Sequence, residues 1–333
     1  VNGARSAADR GAEPVAWWRR PAFRLALLVV AFLSLAWGFS AQWRDLQAEI
    51  ATSARQLSIS WGYVLLGSAL VLLTHATLVQ SWRMLLAGWG GSLGYGRAVQ
   101  IWTIANLGKW IPGKVWQVGA MGMMAEDEGI SGIAAAGAAL LGTLLNIGAG
   151  FGITALTGAN ALDAVRAGLQ PVAVVASVLF VVGVAALPFV LPRLLDRFAR
   201  WRGLPAAEQH LSPMAVWTAT AINAAAWVGY GAGFWCFAKG VTPNISGNPT
   251  AFIAVYTASY LIGYLVLFSP GGLGFRETAL VALLVALGMG GKGDAAILSV
   301  SSRVWITILE ILPGVIGLLL LTPRQRAALR RPG

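Results

Sequence analysis

Side chains that staple, ligate metals or carry acid chemistry are scarce in these 333 residues: one cysteine, two histidines and thirteen acidic groups. A lone cysteine, Cys236, excludes a disulfide framework within the chain. His75 and His210 are far apart, so no Cys/His spacing offers a metal site. His75 reads as a polar residue satisfied inside a helical bundle. No Ser/His/Asp arrangement suggests nucleophilic catalysis, no cofactor motif is present, and no Walker A motif points to ATP hydrolysis. No A-x-A-like cleavage site follows the first apolar run, which ends in Trp37, Gly38 and Phe39. Charge is scarce as well, at 11% of residues, against about 25% in a soluble globular chain.

What is present is apolar. Hydrophobic residues make up 57% of the chain, and the mean hydropathy is +0.69. A bilayer accommodates such a surface, because lipid-facing positions need no charge. The fold class expected is an all-α polytopic membrane protein. The net charge of +11 would raise nucleic-acid binding in a soluble protein. Here the excess of basic residues in cytoplasmic segments explains it more simply, and no nucleic-acid partner is expected.

A spanning helix needs about 20 apolar residues. Six stretches meet that length, near 24–41, 61–82, 131–157, 171–192, 214–238 and 294–321. Two more, near 98–125 and 250–290, are broken by Pro-Gly. Basic residues set the orientation. Arg5, Arg10, Arg19, Arg20 and Arg24 precede the first span; Arg83 and Arg97 flank the connection after the second. Arg193, Arg197, Arg200 and Arg202 follow the run that ends at 192, and Arg324, Arg326, Arg330 and Arg331 close the chain. Placing these fifteen in the cytoplasm leaves Arg44, Arg55, Arg166, Lys239 and Lys292 outside. Both termini are then cytoplasmic, in a cell (inner) membrane, with basic tails at 1–23 and 322–333 around one transmembrane domain at 24–321.

The stretch 98–125 must return to the side it left, so it reads as a re-entrant hairpin bent at Pro112-Gly113. The stretch 250–290 is either two full spans or a second hairpin. The architecture is thus about six full spans plus two hairpins, or eight spans plus one. An internal repeat favours two hairpins. A span, an aromatic-rich helix ending in Pro-Gly, a short helix and a long span occur in that order in 61–157 and again in 214–321. The two prolines, Pro112 and Pro270, lie 158 residues apart. One copy would start outside and the other inside, which is an inverted-topology repeat.

Matching breaks point to a shared central cavity, because irregular backbone at membrane depth must face protein or water. Helix ends there expose N–H groups that favour an anion. Gly271, Gly272 and Gly274 would let a headgroup approach the backbone. Lys109 and Lys114 flank the first bend and are read as headgroup contacts, although snorkelling to the cytoplasmic surface is open to both. Arg276 is a further candidate for the substrate's phosphate, and the hairpin reading puts it towards the outer surface. Glu277 and Arg303 either pair to lock the second half or serve the site. Glu310 is a proton site or the partner of a basic group. The acidic run Glu126, Asp127 and Glu128 reads as a solvated loop. Asn106, Gln117, Asn146 and Asn223 read as interhelical hydrogen bonds. Trp17, Trp18, Trp43, Trp61, Trp82, Trp89 and Trp201 read as an interfacial belt.

The strings NLGKWIPGKVWQ and SPGGLGFRE, with SSRVW after the second, resemble the lysylphosphatidylglycerol synthase transmembrane region, also called the flippase-like family. The resemblance runs from about the second span to the last. It implies an integral membrane module that translocates or handles lipids, in the best-studied members an aminoacylated phospholipid. Its relatives often accompany glycosyltransferases and polyprenyl-linked sugar pathways. The match carries over Lys109, Pro112 and Gly113 in the first half, and Pro270, Gly271, Gly272, Gly274, Glu277 and Arg303 in the second. One departure stands out: where the family often shows a Glu-Arg pair after the first hairpin, this chain has Gly142 and Thr143. With no soluble aminoacyl-transferase domain in view, the chain is not expected to make lysyl-lipid by itself. The expectation is a lipid translocase, flippase- or scramblase-like, for an anionic or lipid-linked headgroup. Its partners would be a membrane phospholipid or polyprenyl-linked lipid and, in the alternative, a glycosyltransferase or lipid-modifying enzyme that it serves as a membrane subunit. A secondary transporter of a soluble solute is the third reading.

Overall fold

Inside a bilayer each backbone amide must bond within the protein, and a helix does so within its own segment. The computed structural model describes residues 59–110, 116–165, 169–202, 212–242, 244–266 and 269–322, and all the regular structure in them is helical. The first apolar stretch, both basic tails, and Pro112, Gly113 and Lys114 at the first break lie outside the described residues.

Two long helices enclose two short ones in residues 61–165. These are α1 (Trp61–Gly88), α2 (Tyr95–Asn106), α3 (Trp116–Glu126) and α4 (Gly132–Val165). A 3-10 turn, Leu107–Trp110, continues α2 towards the break. Helix α5 (Leu169–Arg202) follows. The same order then recurs as α6 (Pro213–Val241), α7 (Pro249–Leu265), a 3-10 turn at Pro270–Gly272, α8 (Phe275–Ala286) and α9 (Lys292–Leu319). Helices α1, α9 and Gly132–Gly158 of α4 are long and apolar enough to cross a membrane.

Local chemistry places the boundaries. Ser212 and Asn248 cap α6 and α7 by accepting from Ala215 N and Ala251 N, with proline at the first helical position of each. The break before α8 depends on glycine: Gly271, Gly272 and Gly274 have φ of 58°, 71° and 84°, a region other residues enter only at a cost. Glu277 then caps α8, accepting from Gly274 N at 2.7 Å.

The short helices come in pairs that begin and end together. Arg97 at the start of α2 meets Glu128 just beyond α3 at 2.7 Å. Ser246 N, before α7, donates to Met289 O, after α8, at 2.7 Å. At 1.5 Å per residue, α2 and α3 reach about 18 and 17 Å, and α7 and α8 about 26 and 18 Å. The hydrocarbon core is about 30 Å.

Packing puts small residues between the long helices. Gly67 of α1 and Gly233 of α6 meet so closely that a Cβ on Gly67 would lie 2.7 Å from the Gly233 carbonyl. Helix α9 shows the two faces of a membrane helix. Val300, Val304, Ile308, Leu312 and Val315 point outward, 40–56% exposed. Ser299, Ser302, Ile306, Glu310, Gly314 and Gly317 point inward. A stripe that apolar and that exposed suits lipid rather than water.

Candidate functional site

The two turns before the breaks touch each other, and α9 passes beside both. Glu310, near the middle of α9 and 8% exposed, holds Lys109 Nζ at 2.5 Å. One face of α9 carries both Glu310 and Arg303, two helical turns apart. Arg303 Nη2 donates to the Gly271 carbonyl at 2.9 Å, and its Nε lies 3.2 Å from Glu277 Oε1. Because Glu277 also caps α8, one carboxylate ties the second break to α9. The turn before the first break and the second break are therefore each tied to the same helix by an ion pair.

Between these tips and α1, α4, α6 and α7 lies a cavity of about 170 Å³. Lys109, Gly271, Arg276, Arg303 and Glu310 line it, together with His75 and a group of aromatic and amide side chains. Arg276 lies 4% exposed on α8. Its guanidinium sits 5.0 Å from the Tyr256 ring centre and 4.9 Å from that of Tyr260. Among the described residues no carboxylate pairs with it. Among the described residues three cations and one carboxylate face the cavity, with Glu277 behind Arg303.

Five of the expected site residues thus converge: Lys109, Gly271, Arg276, Arg303 and Glu310. Gly272 serves the backbone instead, since a Cβ there would lie 2.7 Å from the Gly263 carbonyl of α7. Pro270 and Gly274 shape the turn, and Glu277 braces it. Arg276 corrects the expectation of an outward position. Helix α8 packs on α7, and Gly263 leaves the space that its side-chain stem needs.

Other positions also differ from expectation. Trp82, placed in the interfacial belt by sequence, is 3% exposed, donates to Ala135 O and lines the cavity. Trp61, 66% exposed, keeps an outward position. Asn146 and Asn223 do join helices: Asn146 Nδ2 donates to Asn223 Oδ1, and Asn223 Nδ2 donates to Ser81 Oγ. Asn106 and Gln117 make no hydrogen bond with any described residue, and both face the cavity. Glu126, Asp127 and Glu128 are exposed as expected, but Glu126 ends α3, Asp127 and Glu128 lie in the turn after it, and Glu128 has Arg97 as its partner.

Sequence reasoning overlooked the aromatic wall of Trp102, Trp227, Tyr230, Tyr260 and Tyr264. A signal was available, because Tyr256, Tyr260 and Tyr264 recur every four residues on α7 and so share one face. Gly142 and Thr143 also line the cavity, so that wall is uncharged.

A family model described as the lysylphosphatidylglycerol synthase TM region matches residues 22–314. No curated protein matches the chain.

Proposed function

We propose that this chain, which belongs to the lysylphosphatidylglycerol synthase TM-region family, is a lipid translocase that passes an anionic headgroup through the cavity between its two broken hairpins. The observation that carries this reading is Arg276. A buried cation without a carboxylate is costly to hold in a membrane, and aromatic faces offset only part of that cost. An anionic group in the cavity supplies the missing charge. Space agrees with a headgroup rather than a whole lipid: a cavity of about 150 Å³ takes a benzene-sized guest. The acyl chains then stay in the bilayer while the headgroup passes.

The recurring helix order supports an inverted-topology repeat, with both hairpins re-entrant and both termini cytoplasmic. Translocation would proceed as one half rocks against the other about the cavity, without ATP hydrolysis by this chain. Fluorescent-lipid movement in proteoliposomes tests the reading. Wild type should accelerate exchange of an anionic lipid, while Arg276→Ala and Arg303→Ala should reduce it at least tenfold. Equal rates in all three would overturn it. The family's name associates its transmembrane region with a lipid-modifying enzyme, which favours a membrane subunit as the second reading. Wild type that moves no lipid alone but does so with a co-purified enzyme would select that reading.

A further inference from the structure

The two ion pairs on α9 differ in what they join. Glu277, Arg303 and the Gly271 carbonyl all belong to the second half of the chain. Glu310 belongs to that half as well, but its partner Lys109 comes from the first. A motion of one half against the other keeps the first set together and parts the second. Glu310 is also the only carboxylate in the interior of α9, since Asp294 lies in the first turn. Besides Lys109, it faces His75 of α1, Tyr230 of α6, Tyr256 and Tyr260 of α7, Arg276 of α8 and, on its own helix, Arg303. Among the described residues, α2, α3 and α4 bring no ionisable side chain to the cavity. Both arginines are engaged elsewhere. Arg303 serves Gly271 and Glu277, and the Arg276 guanidinium lies over the Tyr256 and Tyr260 rings.

We infer that Glu310 is a proton-binding site, and that one proton crosses the membrane together with each anionic headgroup. The inference rests on the proposed headgroup reading and adds its energy source. In the empty protein Lys109 and Glu310 neutralise each other. A phosphate in the cavity offers Lys109 a second anion beside Arg276, because both cations line that space. As the halves move, Lys109 stays with the phosphate and Glu310 loses its cation. A carboxylate so placed takes a proton rather than keep a buried charge. When the headgroup leaves on the far side, Lys109 returns to Glu310 and the proton is released there. One negative and one positive charge travel together, so no net charge crosses. A phosphodiester has no titrating proton of its own near neutral pH, so the protein must carry it.

The test places the full chain in zwitterionic proteoliposomes with a pH difference across the bilayer and the membrane potential clamped by a potassium ionophore. The probes are acyl-labelled fluorescent phosphatidylglycerol and phosphatidylmethanol, and protein-free vesicles give the background. Their distribution between leaflets is read with an impermeant quencher. Wild type should accumulate probe on the alkaline side, by about tenfold per unit of pH difference, because one proton per lipid equates the two gradients. Glu310→Gln, which mimics the protonated acid, should exchange probe without accumulating it. Exchange by wild type that leaves the leaflets even overturns the proton site and spares the headgroup reading. Accumulation kept in Glu310→Gln assigns the proton to another group, His75 first, and also overturns it. No movement of either probe by wild type overturns both readings. If Glu310→Gln folds poorly, wild type alone decides. A hydrophobic carbodiimide, which reacts with protonated carboxylic acids, should modify Glu310 severalfold faster with phosphatidylglycerol present, as peptide masses would reveal. Equal modification with and without the lipid overturns the proton site.

Discussion

Lys109 and Glu310 approach to 2.5 Å in a place where neither charge is well hydrated. Breaking such a pair costs more than deleting it, since the surviving charge stays buried alone. Lys109→Ala and Glu310→Ala should each destabilise the protein by about 3 kcal/mol. The double replacement Lys109→Met with Glu310→Leu should recover most of that loss, as a melting series in one detergent would reveal. Additive losses in the double variant would show that the two charges act independently. Glu277 separates cap from charge in a similar way. Glutamine at 277 can still accept from Gly274 N, as glutamate does in a capping box, but it gives up the charge opposite Arg303. The expected melting order is wild type, then Glu277→Gln, then Glu277→Ala. The last step should be about 1 kcal/mol for the lost cap. Identical melting of the two variants would remove the cap from the account.

Helices pack here by backbone approach, and glycine position is the test at this scale. A methyl on Gly67 meets the Gly233 carbonyl of the facing helix at 2.7 Å, whereas a methyl on Gly62, in the same helix, meets nothing within 4 Å. Gly67→Ala should therefore cost about 1–3 kcal/mol, and Gly62→Ala should be neutral or slightly stabilising. Similar losses at both sites would mean that helix propensity, not the α1–α6 approach, sets the effect. The described helices and the second break were legible in sequence, because apolar length and Pro-Gly act locally; the first break lies outside the described residues. The Glu277–Arg303 contact matches one of the two readings that the sequence left open, since charges at membrane depth seek partners. Where side chains point across helices was not. Arg276 lies inside because Gly263, thirteen residues earlier, leaves room for its stem. Trp82 lies inside because Ala135, on another helix, offers its carbonyl. No local pattern records either pairing. The tyrosine stripe of α7 was readable at period four, yet its role became visible only once Arg276 stood over it.

At the scale of the whole molecule, the turn before the first break and the second break both meet α9, each through its own ion pair. Two re-entrant hairpins enter from opposite surfaces if the halves are inverted copies, and from one surface if they are parallel copies. Loop accessibility separates the two arrangements. Ser92 precedes the first hairpin and Ser246 the second, and both are exposed. The native thiol, Cys236, is buried, so its background labelling should be low. In intact cells a membrane-impermeant maleimide should label Ser246→Cys and spare Ser92→Cys, and permeabilisation should expose the second. Labelling of both from outside, or of neither, would exclude the inverted arrangement. The rocking mechanism would then lose its basis, because only an inverted pair presents the same cavity to each surface by exchanging the conformations of its halves.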